Sequence, residues 1–442
     1  MSKTLLVWVL MYFGGLALAV VHPIYPLVSY LTFYYAPPHH NWWGDMLPDL
    51  RFSLLASAVI LGSAMLKGAG LEPLKETRNP ALKWFLLFGF WVVLVTVWAE
   101  DRVRSWVWTV ALLKLILLYI LIPVTVRTPA HFDIFAGAHI GGATYWGYKA
   151  WDDPKREAGR LKDVGGPDTQ NENAAAAHLL TALPFVAVYL LSARNRKMQA
   201  IIMVCGAFIV NVIILCNSRG ATLGLLAMAG AGIAFAGRGR RLKLLGVAAA
   251  AAVALLALAD PEFVARQQTT VDAQDGSSQG RLIAWQAGLE FIKDHPLGTG
   301  GRGFHILSPQ YIPEIVESHD GEERSVHNTY LQLGAEWGVP GLVLWGGFII
   351  STMLLLGRAR RAAQDNPWYF YRLLAIKLAL IGLLVAGIFT NRLYGESLYW
   401  MCALAYALHR MHVTVKETAA ATDSVSAPPI IAGTLVAGAS SR

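Results

Sequence analysis

The sequence predicts an all-α protein: a polytopic transmembrane helical bundle with one long hydrophilic loop on its outer side. Its 442 residues are 55% hydrophobic and only 15% charged, whereas a soluble protein carries roughly 25% charged residues. Apolar runs of membrane-spanning length, about 17–25 residues, recur along the chain. These runs are continuously apolar rather than alternating, so a transmembrane β-barrel is disfavoured.

The apolar runs predict about 12–13 spans, and the basic residues between them predict the orientation. Four basic clusters lie between runs, and the positive-inside bias places all four in the cytoplasm. This bias accounts for the net charge of +8, so we do not expect nucleic-acid binding. The predicted spans lie near residues 4–20, 24–36, 52–66, 82–98, 105–126, 129–143, 174–192, 198–216, 219–236, 241–259, 339–356, 372–390 and 397–412. The clusters are Lys67, Lys75, Arg78 and Lys83; Arg194, Arg196 and Lys197; Arg238, Arg240, Arg241 and Lys243; and Arg358, Arg360, Arg361 and Arg372.

The N-terminus allows two topologies. The runs 4–20 and 24–36 are short and are separated only by Val21-His22-Pro23. They form either two spans or one broken span. We favour the broken span, because Lys3 would then lie in the cytoplasm.

The spans divide the chain into regions. Residues 1–143 form an N-terminal transmembrane region, 144–173 an outer amphipathic loop, and 174–412 a transmembrane core. The core contains the outer loop 260–338, and long loops in compact architectures are usually functional. Residues 413–442 are rich in Ala, Ser, Thr and Pro, which predicts a disordered cytoplasmic tail.

His327 is the first candidate for chemistry. It lies where the polar outer loop meets an apolar run, in the sequence His327-Asn328-Thr329. Imidazole titrates near neutral pH, so a histidine at the membrane surface can act as a general base on a lipid-linked substrate. The alternative is an interfacial histidine that only bonds a backbone carbonyl.

Three arginines fall on the same predicted outer side: Arg219, Arg281 and Arg302. Guanidinium binds phosphate through a two-pronged fork. A diphosphate leaving group needs such cations if no metal neutralises it. The alternative for each arginine is snorkelling or pairing with lipid phosphate.

A metal site is the competing interpretation of the acidic part of the outer loop. Carboxylates suit hard cations and histidine suits zinc, but the spacing matches no standard pattern. We therefore expect neither a metal nor a cofactor. The residues in question are His319, Asp320, Glu322, Glu323 and His327.

Three motifs resemble the O-antigen ligase superfamily. The family signature begins with His followed by Asn, Ser or Gln. After nine further residues comes Gly, and after two more comes Gly, Thr or Tyr. His327-Asn328, Gly338 and Gly341 fit this signature at the same spacing. The turn Ser218-Arg219-Gly220 and the stretch from Arg281 to Gly300 are also similar, so the resemblance covers roughly residues 170–350. The segments His22-Pro23, Pro37-Pro38 and Trp42-Trp43-Gly44 resemble O-glycosylation ligases that accompany exosortase systems.

The resemblance implies a GT-C-like membrane glycosyltransferase of the bacterial inner membrane, with its active site facing the periplasm. The donor would be a glycan on undecaprenyl diphosphate, and the acceptor a hydroxyl of lipid A-core, polysaccharide or protein. Transfer would invert the anomeric carbon without metal, with His327 as base and Arg219, Arg281 and Arg302 at the diphosphate. Polymerase and protein O-oligosaccharyltransferase activities remain open within the superfamily. A transporter is disfavoured, because the spans carry few ionisable residues and no repeat is visible.

Overall fold

The computed structural model describes residues 3–67, 79–157, 159–169, 171–235 and 276–426, with isolated residues between 239 and 264. These parts are almost entirely helical. A short antiparallel hairpin pairs β1 (Arg156–Glu157) with β2 (Arg160–Leu161). The helices are α1 (Lys3–Ala17), α2 (Ile24–Tyr35), α3 (Phe52–Leu66), α4 (Pro80–Thr96), α5 (Arg102–Thr125), α6 (Pro129–Asp152), α7 (Glu172–Leu179), α8 (Leu183–Ser192), α9 (Arg196–Leu215), α10 (Arg219–Phe235), α11 (Gly276–Asp294), α12 (Gly303–Tyr311), α13 (Pro313–Glu317), α14 (Thr329–Ala362), α15 (Pro367–Ala386) and α16 (Glu396–Ser426).

The predicted all-α polytopic bundle is confirmed. Among the described residues, 6 helical segments are long and apolar enough to cross a membrane, and α3, α4 and α10 are shorter apolar helices. The sequence predicts a larger number because several apolar runs form helices shorter than a span; α2, for example, has 12 residues. Most of the predicted span 241–259 lies outside the described residues.

The N-terminal helices form a hairpin, so the favoured broken span is wrong. α1 ends at Ala17, and the chain turns through residues 18–23 before α2 begins at Ile24. The Ser29 hydroxyl donates to the carbonyl of Tyr12 at 2.7 Å, a contact between helices that lie side by side. Gly15 packs against Ser29, where a Cβ would come within 2.2 Å of the hydroxyl oxygen.

Two predicted boundaries differ from the structure. α6 continues to Asp152 instead of ending near 143, because residues 144–152 pack against neighbouring helices. Trp146 is buried and donates its indole N–H to the carbonyl of Tyr35 at 2.7 Å. α16 continues to Ser426, so the first part of the predicted disordered tail is helical, and residues 427–442 lie outside the described ones.

The described part of the long outer loop is a small folded unit. It contains α11, α12, α13 and the first turns of α14. A hydrophobic cluster separate from the main bundle core joins these helices through Ala287, Phe291, Phe304, Val326 and Ala335. Because this cluster is buried, the segment has a defined shape against which site residues can be held.

A kink in α14 joins this unit to the bundle. Gly338 has a φ of 70° inside the helix, which frees carbonyls of the preceding turn from helical bonding. The backbone N–H groups of Thr299 and Gly300 bond the carbonyls of Ala335 and Glu336 at 3.2 and 2.8 Å. The indole of Trp91 bonds the carbonyl of Trp337 at 2.7 Å. The segment 296–300 therefore packs against the kink in α14.

Candidate active site around His327

His327 lies directly before the first turn of α14. Asn328 caps this helix, with its side-chain oxygen accepting from the N–H groups of Tyr330 and Leu331 at 2.9 and 3.1 Å. His327 itself has a φ of 48°, a left-handed conformation that is uncommon for residues other than glycine. Its side chain is exposed to solvent. The cap and the turn thus fix the backbone on both sides of an accessible imidazole.

The pKa of His327 is lowered below its ordinary value of 6.5. Desolvation by the surrounding protein is the main cause, and the positive charges of Arg281 and Arg324 act in the same direction. Glu172 opposes them. Residue 327 is therefore open to solvent on one side and desolvated by neighbouring protein on the other. The imidazole is therefore neutral at pH 7, the form that can accept a proton.

Arg281 lies near His327 on α11. α11 packs on the segment around His327 through Gly288, where an added Cβ would lie 3.2 Å from Val326 and 3.5 Å from Leu331. Trp285 follows Arg281 by one helical turn, so the two side chains share a face. The ring of Trp285 lies 5.8 Å from that of Phe389.

Arg219 is the first residue of α10 and is 8% exposed. The next residue, Gly220, packs on Phe389, where a Cβ would come within 2.8 Å. Phe389 therefore lies between the start of α10 and the α11 face that carries Trp285 and Arg281. In this way the structure brings Arg219 to the same neighbourhood as Arg281 and His327.

The turn before α10 is tied to the β1–β2 hairpin. The Ser218 hydroxyl and the Arg160 guanidinium both donate to the side-chain oxygen of Asn173, at 2.8 and 2.9 Å. Arg160 also forms a salt bridge with Glu172, the carboxylate whose charge acts on His327. Sequence reasoning missed this contribution, although the polar run 170–173 directly before an apolar helix was a usable signal.

Arg302 lies on a different side of the candidate site. Its backbone N–H bonds Glu336 Oε1 at 3.1 Å, and its guanidinium lies 4.7 Å from the ring centre of Trp108. Glu336 is fully buried and also accepts from Gln332 at 2.6 Å and from the hydroxyl of Tyr394. The buried carboxylate therefore fixes the backbone that presents Arg302.

His305 lies close enough to Arg302 and His327 for the charges of both to act on it. It is 7% exposed, and its Nδ1 has no hydrogen-bond partner among the described residues. The pKa of His305 is lowered to about 3, mainly by burial and then by the charges of Arg302, His327 and Arg104. Sequence reasoning could not assign a role to His305, because nothing local distinguishes it from a structural histidine.

Two acidic residues of the competing metal hypothesis form ion pairs with arginines. Glu323 accepts from Arg104 at 2.8 and 2.9 Å, and Glu322 lies 3.4 Å from Arg324. His319 is exposed, and its ring lies 2.8 Å from the carbonyl of Ile315. Within the described part of the chain, no three His, Cys, Asp or Glu side chains form a metal-type cluster.

The arrangement combines a neutral imidazole with a cationic surrounding. Arg219, Arg302 and His327 each lie at the start of a helix, where the helix dipole favours negative charge. A proton acceptor beside anion-binding groups suits a reaction in which a hydroxyl attacks and an anion leaves.

Part of the chain matches a known protein family. Residues 204–346 match the family described as O-antigen ligase. All four predicted site residues lie inside the matched range, whereas Glu172, Asn173 and the hairpin lie before it. Comparison with curated proteins gives no match.

Proposed function

We propose that this member of the O-antigen ligase superfamily transfers a glycan from undecaprenyl diphosphate to an acceptor hydroxyl. The superfamily consists of membrane glycosyltransferases of the ligase and polymerase type, and the apolar helices make the chain a multi-pass membrane protein. We further propose that it lies in the bacterial inner membrane with His327 facing the periplasm.

One observation carries the proposal: His327 is an accessible, neutral imidazole whose positive neighbours include Arg281 and Arg324. A histidine that served only as a structural partner would not need solvent access. Desolvation by neighbouring protein and the nearby cations lower the pKa of the ring and favour its unprotonated form, which is the state that a general base requires.

In the proposed reaction, His327 takes the proton from the acceptor hydroxyl as its oxygen attacks the anomeric carbon. The bond from that carbon to the diphosphate oxygen breaks on the opposite face, so the configuration inverts. The electron pair leaves with undecaprenyl diphosphate. Arg219 and Arg281 neutralise the growing charge, and Arg302 assists at a phosphate or a sugar.

Apolar groups suited to a lipid carrier lie next to Arg281. Leu282 and Ile283 are 61% and 48% exposed, and α11 is outside the predicted spans. An exposed apolar surface beside a phosphate-binding arginine fits a carrier whose diphosphate lies at the membrane surface and whose polyprenyl chain lies in lipid.

The test compares strains of the native host. The chromosomal gene is deleted and replaced by wild type, His327→Ala, His327→Asn or His319→Ala. Asparagine tolerates the left-handed conformation of residue 327, so it removes the base with less backbone strain. His319→Ala is the matched control, because His319 is an exposed histidine of the same segment.

Carrier-linked glycan, lipopolysaccharide, secreted polysaccharide and glycosylated secreted proteins are then sized side by side. Long glycan trapped on undecaprenyl diphosphate in both His327 variants, but not in His319→Ala, supports the ligase. Single repeats on the carrier would indicate a polymerase, and loss of glycan from secreted proteins a protein O-oligosaccharyltransferase. An unchanged set of carrier-linked species would contradict the proposed function.

A further inference from the structure

Arg392 connects the start of α14 with a distant part of the chain. It is 2% exposed. Its backbone N–H donates to the Thr329 hydroxyl at 2.9 Å, and its guanidinium donates to the carbonyl of Asp168 at 2.8 Å and lies 3.5 Å from the Asp168 carboxylate. Thr329 follows His327 by two residues. Arg392 therefore bonds the first turn that presents the candidate base.

Further bonds hold Thr329 to the same segment. The Thr329 N–H donates to the carbonyl of Gly387 at 2.8 Å, and its hydroxyl donates to the carbonyl of Thr390 at 2.8 Å. The segment 387–392 also contains Phe389, which contacts Gly220 and Trp285. The position of this segment thus sets how α14 lies relative to α10 and α11.

Asp168 anchors Arg392 to the N-terminal half of the chain. Its carboxylate accepts from the Tyr34 hydroxyl at 2.5 Å and from the N–H of Glu396 at 2.5 Å. Glu396 in turn accepts from the Tyr30 hydroxyl at 2.8 Å. The carboxylate is therefore bonded to α2, to the start of α16 and to Arg392 at once.

The bonding continues through two buried histidines. His178 lies 3.0 Å from the Tyr34 hydroxyl through Nδ1 and 2.8 Å from the Tyr35 hydroxyl through Nε2. Tyr35 lies 2.5 Å from Nδ1 of His139. Because Tyr34 gives its proton to Asp168, Nδ1 of His178 donates to Tyr34 and Nε2 accepts from Tyr35. The Asp168 charge thereby orients a chain of bonds across α2, α6 and α7.

Such a chain is rigid because its alternatives are costly. A buried polar group that loses its partner pays its full desolvation penalty. A buried ion pair likewise holds only with good geometry. Small displacements of Arg392 would therefore break several bonds together, and Thr329 would move with it.

We propose that Asp168 and Arg392 are positioning residues that align His327 for transfer through Thr329. This inference rests on the proposed function. It assigns a role in the reaction to residue 168, which lies before the matched range 204–346.

The chain supplies a matched control at the other end of the same two helices. Arg372 donates to Asp133 at 3.0 and 3.1 Å and is 5% exposed on its side chain. Asp133 and Arg372 lie near the starts of α6 and α15, whereas Asp168 and Arg392 follow the ends of these helices. The control pair is also an Asp–Arg pair with a buried arginine, but the Asp133 side chain is 39% exposed whereas that of Asp168 is 12% exposed. Its further hydrogen bonds join Asp133 to Tyr189 and Arg372 to Trp368, not to the start of α14.

The experiment measures transfer kinetics of purified full-length protein. Carrier-linked glycan extracted from the gene-deletion strain is the donor, and membranes of that strain supply the acceptor. Asp168→Asn, Arg392→Lys and their double variant are compared with Asp133→Asn, Arg372→Lys and His327→Asn. Tyr34→Phe removes the hydrogen bond from Tyr34 to Asp168. If Arg392→Lys does not fold, Tyr34→Phe is compared with the same controls in its place.

We expect kcat to fall about ten- to a hundredfold in each positioning variant, since small misplacements of catalytic groups have such effects. The KM for the donor should stay within about twofold of wild type, because neither residue is placed at the diphosphate. The double variant should lose little more than the single ones, and the control pair should stay near wild type.

Two failures are distinguishable. Equal losses in the Asp133–Arg372 and Asp168–Arg392 variants, or a rise in KM alone, would overturn the positioning role while His327→Asn remained inactive. Full activity of His327→Asn would instead overturn the proposed function itself.

Discussion

Glu336 gives the sharpest stability prediction near the candidate site. It is fully buried, and its carboxylate accepts three donors: the N–H of Arg302, the amide of Gln332 and the hydroxyl of Tyr394. These donors come from the start of α12, from α14 itself and from the segment before α16. One side chain therefore joins three parts of the structure.

Glu336→Ala leaves three buried donors without an acceptor. At about 1–2 kcal/mol for each donor, the free energy of unfolding should fall by about 3–6 kcal/mol. Glu336→Gln keeps the volume and one carbonyl oxygen, and Tyr394 can turn its hydroxyl to accept from the new amide. We expect Glu336→Gln to cost about 1–2 kcal/mol, because one of the two acceptor oxygens is replaced by a donor group.

The assay is unfolding of the purified protein in mixed micelles of mild detergent and SDS. Glu317→Ala is the control, because Glu317 is exposed at the end of α13, and surface substitutions usually stay within about 0.5 kcal/mol. If Glu336→Ala unfolds like Glu317→Ala, the three bonds do not hold Arg302 and the reasoning is refuted.

Three further predictions follow from the same geometry. Arg324→Gln removes a positive charge that lowers the pKa of His327, so this pKa should rise. The acidic limb of a pH–rate profile of transfer should then move to higher pH, and an unmoved limb would contradict the prediction. Gly298→Ala should lower the free energy of unfolding in SDS by about 2–4 kcal/mol, because the φ of Gly298 is 84° and an added Cβ would lie 2.6 Å from two backbone atoms. Gly346→Ala is the control, since nothing lies within 4 Å of a Cβ there, and an equal loss in the two variants would contradict the prediction. Arg281→Lys keeps the charge but loses the guanidinium fork, so the KM for the carrier-linked donor should rise at least about tenfold in the kinetic assay, and an unchanged KM would remove Arg281 from the diphosphate.

The bundle and the site neighbourhood followed from local sequence features. Continuous apolar runs identified the helices. Asn328 caps the helix after His327, and Ser218 begins the helix of Arg219 with its hydroxyl 3.3 Å from the N–H of Ala221. Such helix-start signals are readable because capping involves residues only three positions apart. The structure places Arg219 and Arg281 near His327 and Arg302 on a different side, and the roles of all four residues remain predictions.

The remaining features depend on contacts far apart in the chain. Asp168 and Arg392 are 224 positions apart, and neither has a local signal that names its partner. The α1–α2 hairpin was missed for the same kind of reason, because the deciding contact is Ser29 against Tyr12. The described helices of the outer loop were missed because they bury only one small cluster and have no run of span length.

The most direct test of the account is the transfer rate of purified protein at saturating donor for wild type, His327→Asn and His319→Ala. General base catalysis is worth typically about 10²–10⁴-fold. The account predicts a loss of that size in His327→Asn, unchanged folding, and a normal rate in His319→Ala. If the rate of His327→Asn fell by less than about threefold, the loss would be far smaller than expected for a missing base, and the role of His327 as general base would be contradicted.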